Sequence, residues 1–299
     1  HTPEIEAWTA VNPDSELIPV ARANGITHSL IVPMGGTISG VSGLITLDGW
    51  GIEEMAIVQK VALHIWWPGQ GLSIPNHNSE GKSIEEQKKE RIKNIEDLDE
   101  FFNQAEAYKR RRLAAPKSKT DLNPSWEAML PFVSQKLPLV IHADEKRQIV
   151  SALDWAEKRK YKIIISGGRD SWKIAERVAA MQVPVIYRHV FSAPPQTNLA
   201  HDIHFRAPGI LVRAGVELSI GLRLGAWSAA NQRNLPYHAA HAIPLGLKRK
   251  DALAAVTIHP AKLMGVHSQL GTLEKGKDAT FIACSGDMFD LRTTVKHMI

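Results

Sequence analysis

The chain has 299 residues, of which 44% are apolar and 22% charged, a composition that suits an ordinary globular protein with one large domain and a small appendage. It holds no run of about 18 apolar residues, the length a membrane-spanning helix needs. The net charge is +5, and Lys and Arg cluster between residues 86 and 118, where Glu and apolar residues interrupt them. That mixture reads as a solvated helical face and excludes nucleic acid as the expected partner. The single cysteine, Cys284, excludes an internal disulfide and a cysteine-based zinc cluster.

The ends read as those of a processed or truncated product. The chain opens on His1-Thr-Pro, without an initiator methionine, a charged n-region or an apolar h-region, and closes on the apolar pair Met298-Ile299. A secretory signal already removed is one cause, so the expectation is a soluble protein of the cytoplasm or periplasm.

In chain order, residues 16–24 predict a helix stopped by Gly25, and Ile26 to Val32 a strand ended by Pro33 and Gly35-Gly36. A Gly- and Ser-rich stretch from Gly35 to Gly43 leads into Leu44-Ile-Thr-Leu-Asp48-Gly49, a hairpin or a loop insertion. Val61 to Trp67 is the next strand. A polar segment, Pro75 to Asn78, precedes a long charged helix from Ile84 to about Leu113, broken by Pro116.

From there the alternation becomes regular. Helices are predicted over 123–135, 146–158, 171–181 and 206–214, and strands over 137–142, 162–166, 183–187 and 216–220. Such alternation predicts an α/β fold with a parallel sheet, and at this length a (β/α)8 TIM-type barrel before a doubly wound sheet. No glycine-rich phosphate fingerprint follows any strand, since Gly35-Gly36 and Gly167-Gly168 lack the required spacing.

The strand Leu137-Pro-Leu-Val-Ile-His142-Ala-Asp144-Glu145 carries the main functional signal. An apolar run buried on both faces delivers His142 to its C-terminal end, where parallel sheets place their chemistry. His142 is therefore a candidate metal ligand, with a buried structural histidine as the other reading. His189 ends another strand and is a candidate at the same mouth. His64 stands beside Trp66 and Trp67, which favour packing. His201 and His204 form an H-x-x-H pair in a loop-like setting, His28 sits mid-strand, and His77, His267 and His297 read as exposed.

Arg169 follows Gly167-Gly168, where a cation and backbone amides would bind an anion. Asn231-Gln-Arg233-Asn234-Leu-Pro would place a guanidinium and amides after the last strand to hold a substrate carboxylate or carbonyl, with helix capping as the alternative.

The tail carries a resemblance. Thr257-Ile-His-Pro260-Ala-Lys-Leu-Met-Gly265-Val, then Gly271-Thr-Leu-Glu-Lys-Gly276-Lys-Asp278-Ala-Thr-Phe-Ile282, reads as a short helix with Pro260 in its first turn and Gly265 at its end, followed by a turn into a strand. It closely resembles the stretch of the amidohydrolase superfamily where the last barrel helix hands over to a small β-sandwich. Asn12-Pro-Asp14, Ala23-Asn-Gly25-Ile-Thr27, Gly43 to Trp50, Val140-Ile-His142-Ala143 and Arg233 to Tyr237 resemble, in order, the imidazolonepropionase-like branch.

The resemblance implies a barrel over residues 1–266, incomplete at its N-terminus, and part of a β-sandwich over 267–299 in a homo-oligomer. It also implies a hydrolase acting on C–N bonds of small cyclic amides, with a divalent zinc, iron or manganese ion activating water. The family's ligands are a His-x-His pair on the first strand, a His on the fifth, a His on the sixth and an Asp on the eighth. His142 matches the fifth-strand position, Gly167 stands near the sixth, and no Asp follows Val216 to Ile220. The His-x-His motif is absent from the chain. The expected proton shuttle then passes to Asp144, Glu145 or Asp170, for which helix capping is the alternative. The other function kept open is an amidohydrolase-like scaffold without metal that binds rather than turns over.

Overall fold

Apolar runs separated by amphipathic stretches fold into a largely parallel sheet with the main layer of helices on one face. The computed structural model describes residues 1–69, 82–114 and 122–299. The strands are β1 (His28–Ile31), β2 (Ile38–Val41), β3 (Gly43–Thr46), β4 (Ala56–Val58), β5 (Leu63–Trp66), β6 (Leu139–Ala143), β7 (Ile163–Gly167), β8 (Val185–Tyr187), β9 (Leu218–Ile220), β10 (Ile282–Cys284) and β11 (Val295–Met298). The helices are α1 (Leu17–Ala23), α2 (Ile52–Met55), α3 (Ile84–Ala114), α4 (Pro124–Val133), α5 (Lys146–Arg159), α6 (Ala175–Ala180), α7 (Ile203–Arg213), α8 (Ala226–Ala229), α9 (Leu235–Ala242), α10 (Arg249–Val256) and α11 (Ile258–Leu263). The expected features at Pro75 to Asn78, including His77, and at Pro116 lie outside the described residues.

The main sheet has the order β2-β5-β6-β7-β8-β9. Ladders β5 to β9 are parallel and β2 runs antiparallel to β5. β1, β3 and β4 form a separate antiparallel sheet, and β10 pairs with β11. The strand β2 falls in the stretch read from sequence only as Gly- and Ser-rich. Its Ile38 and Val41 are buried and it is completed by the chain start, through Thr2 N–H to Ile38 O and Val41 N–H to Ile5 O.

Period-two alternation divides the sheet into two faces. Leu63, Ile65, Leu139, Ile141, Ile163, Ile165, Val185, Leu218 and Ile220 point to the helical layer and form one apolar cluster with α3, α4, α5 and α7. In α3 the residues Leu98, Phe102, Ala105 and Tyr108 are buried on one stripe at helical spacing, flanked by the partly buried Ile95 and Phe101. On the opposite face Val140 and Ile164 pack with Leu44, Ala261 and Val266. Further along that face the side chains turn polar: His64, His142, Ser166 and Ser219 are all buried there.

Two helical stretches differ from expectation. Residues 171–181 begin as a 3-10 turn, Ser171–Ile174, before α6. α7 starts at Ile203, three residues before the predicted start, because Ile203, Ala207 and Leu211 bury one continuous face. That places His204 on a helix rather than in a loop.

Candidate functional site

The parallel register gathers one set of strand ends. His142 pairs with Ser166, Ala143 with Gly167, and Gly167 with Tyr187, so the residues that follow leave the sheet side by side. Backbone bonds continue past the strands: Gly168 N–H donates to Ala143 O at 2.8 Å, Asp170 N–H to Asp144 O at 2.8 Å, and Arg188 N–H to Gly167 O at 3.2 Å. Asp144, Arg169, Asp170, Arg188 and His189 therefore share one edge.

At its centre His189 Nε2 lies 2.7 Å from Asp144 Oδ1. An ionised carboxylate only accepts, so in the neutral imidazole Nε2 carries the hydrogen and Nδ1 is left as an acceptor. Nδ1 faces the Ser192 hydroxyl oxygen at 3.0 Å. Burial pushes the Asp144 carboxyl up, but the His189 hydrogen bond and charge, the Arg188 guanidinium and the Arg169 amide together hold it below its ordinary value.

Gly167 makes room for this arrangement. Its φ of 102° lies in the left-handed region, and a Cβ there would collide with Asp144 Oδ1 and stand 3.1 Å from an Arg188 terminal nitrogen. Arg188 is buried, and its Nε has no hydrogen-bond partner among the described residues. Burial lowers the Arg188 pKa, Asp144 works against that, and Arg223 adds to it.

The start of α5 secures the carboxylate. Glu145 and Gln148 form a reciprocal capping box. Gln148 Oε1 accepts from Asp144 N–H at 2.8 Å, and its Nε2 donates to Trp67 O, beyond β5, at 2.6 Å. Asp170 serves the same junction, accepting from Lys146 N–H at 3.2 Å and pairing with Lys173 at 3.1 Å. Arg169 Nε has no hydrogen-bond partner among the described residues, and its amide stands 3.5 Å from Asp144 Oδ1.

Beneath the edge, His142 Nε2 meets His64 Nδ1 at 2.9 Å, and Trp66 stacks on the His142 ring with centroids 4.1 Å apart. Burial, then Arg188, lowers the His64 pKa to about 3; burial, then His64 and Arg188, lowers that of His142 to about 2. This pair does not fit the expected metal. The two imidazoles are bonded to each other, and the neighbours across the sheet are Ser166, paired with His142 on β7, and Ser219 on β9, neither of them a His or a carboxylate. Among the described residues no group of three or more His, Cys, Asp or Glu could hold an ion.

The other expected residues lie apart. Arg233 and Asn234 occupy a 3-10 turn, Gln232–Asn234, that packs against α1. No hydrogen bond or ion pair joins either to Asp144, Arg188 or His189 among the described residues. His201 is exposed, whereas His204 is buried with Tyr187 hydroxyl 2.8 Å from its Nδ1. His28 is half-buried, and His267 and His297 are exposed. Arg188 and Ser192 escaped sequence reasoning. A charge directly after the apolar run Val183 to Tyr187 was the available signal for Arg188; Ser192 had none.

The sequence profile of the amidohydrolase family matches residues 51–298. The chain belongs to the amidohydrolase family. No curated protein matches it. In fold it is similar to an amidohydrolase from Thermotoga maritima MSB8, with a TM-score of 0.84 at 22% identity over 100% of this chain and 76% of that one. A prolidase complexed with N-methylphosphonate-L-proline gives 0.45 at 18% identity, over 59% of this chain and 47% of that one. An adenosine deaminase from Xanthomonas campestris with bound zinc gives 0.40 at 17%, over 62% and 47%. The chain thus spans about three quarters of the first amidohydrolase and under half of the other two. Among the described residues no helix of this family member is long and apolar enough to cross a membrane.

Proposed function

We propose that this amidohydrolase-family chain hydrolyses non-peptide C–N bonds in small molecules, with His189, oriented by Asp144, moving the proton. The 2.7 Å bond between them at the shared strand edge carries the reading. Arg169 and Arg188 border the pair and favour a substrate with a carboxylate or an enolisable carbonyl. The resemblance to the imidazolonepropionase-like branch directs the substrate search to cyclic amides and imides. Arg233 and Asn234 complete the proposal as outer contacts of a larger substrate, and Asp170 as a second proton carrier. We also infer that β2 and β5 to β9 are an arc of a (β/α)8 barrel spanning residues 1–266, with 267–299 part of a small sandwich, in a homo-oligomer.

The test is a panel of lactams, cyclic imides and hydantoins followed by product release, in the wild type and in His189→Gln. Turnover that His189→Gln loses is the expected result; turnover equal in both proteins overturns the role of His189, and no turnover on any panel member counts against hydrolysis. The second reading, a scaffold that binds without turnover, is favoured by the occupation of the family's sixth-strand ligand space by Asp144. It predicts saturable binding of the panel compounds without product.

A further inference from the structure

We propose that Ser192 is the nucleophile of this site, in a Ser192–His189–Asp144 relay that forms an acyl-enzyme. The proposal rests on the reading of His189 as the proton carrier. Three observations carry it. Asp144 fixes the hydrogen on Nε2, so the lone pair of Nδ1 points at Ser192 Oγ, 3.0 Å away. The turn that brings Ser192 there is closed by its own backbone bond, Ser192 N–H to His189 O at 2.9 Å. The hydroxyl is thus not needed to hold the turn, and its proton is directed to the imidazole. Ser192 is partly exposed beside an exposed Phe191, as is Asp144 at the other end of the relay, whereas His189 between them is buried, so the serine oxygen can be reached from solvent.

The three side chains stand in the order of a Ser-His-Asp triad with the two ring nitrogens exchanged. Ser192 Oγ bonds to the carbonyl carbon as its proton passes to Nδ1. The ring C–N bond breaks with its electron pair on nitrogen, which takes that proton and stays tethered to the acyl group through the opened ring. Water then adds to the acyl carbon, giving a proton to Nδ1; Oγ departs from carbon and recovers that proton, and the acid is released. No metal enters the sequence.

Diisopropyl fluorophosphate tests it on the intact protein: Oγ bonds to phosphorus as its proton passes to His189 Nδ1, and fluoride leaves. One diisopropylphosphoryl group per chain is expected, mapped to Ser192 by mass spectrometry, absent from Ser192→Ala and formed about 100-fold more slowly in His189→Gln. Labelling elsewhere, no labelling, or equal rates in both proteins overturns the relay. If amide turnover is lost in His189→Gln but kept in Ser192→Ala, the nucleophile fails and the proton carrier stands. If Ser192 is labelled through His189 but no cyclic amide is opened, the relay stands and the proposed substrate class fails.

Discussion

Asp144 Oδ1 occupies the place where a side chain on residue 167 would begin, and Gly167 leaves that place vacant. Position 167, at the end of β7, has been given over to a carboxylate that follows the neighbouring strand. Gly167 and Gly35 have nearly the same φ, 102° and 104°, but nothing lies within 4 Å of a Cβ on Gly35. Gly35→Ala therefore reports backbone strain alone, about 1–3 kcal/mol. Gly167→Ala is expected to lose roughly 1.5–3 kcal/mol more, because displacing Asp144 breaks a charge-assisted hydrogen bond. Urea titration of both variants measures the difference, and equal losses would show that Asp144 does not depend on the missing side chain.

Asp144→Asn tests the orientation of His189. A side-chain amide can donate to Nε2, which moves the ring hydrogen to Nδ1 and removes the acceptor facing Ser192. The expected loss in kcat is about 10²–10⁴-fold with KM little changed. An unaltered kcat would remove Asp144 from the proton path.

Arg188→Met tests the charge beside that carboxylate. Arg188 is among the groups that hold Asp144 below its ordinary pKa, so its removal makes the proton harder to release and raises the Asp144 value. The acid limb of the pH profile for kcat/KM is expected to move to higher pH. A limb that stays in place, in a folded variant, assigns the limb to another group.

His64 and His142 set the acid stability. Burial holds their pKa values at about 3 and about 2 in the fold, whereas in the unfolded chain they titrate near the ordinary imidazole value of about 6.5. Below that value the unfolded state binds the additional protons, so stability falls as the pH drops from 6.5 toward 3. The slope is about 1.4 kcal/mol per pH unit for each histidine. Urea midpoints at pH 7 and pH 4 measure it, and a double variant, His64→Leu with His142→Leu, should flatten the dependence.

The sequence made the sheet legible because buried parallel strands are written as continuous apolar runs. Leu137 to His142, Lys162 to Ser166 and Val183 to Tyr187 all became strands within two residues of their expected bounds. β2 was less legible, since Ile38-Ser-Gly-Val41 has two apolar residues and gains its burial from β5 and the chain start. At the site, Asp144, Arg169, Asp170 and His189 were readable from their position after strands. Their division of labour was not: that Asp170 secures α5 while Asp144 faces His189 depends on which strands become neighbours. His64 read as packing beside two tryptophans, yet its partner is an imidazole 78 positions away.

Gln148 binds the amide of Asp144 with one end of its side chain and the carbonyl of Trp67 with the other. A residue of the helix thereby rivets the outlets of β5 and β6 together. The carboxylate inherits the stiffness of the sheet rather than the mobility of a surface loop, so the geometry facing His189 is set at folding, before any substrate arrives.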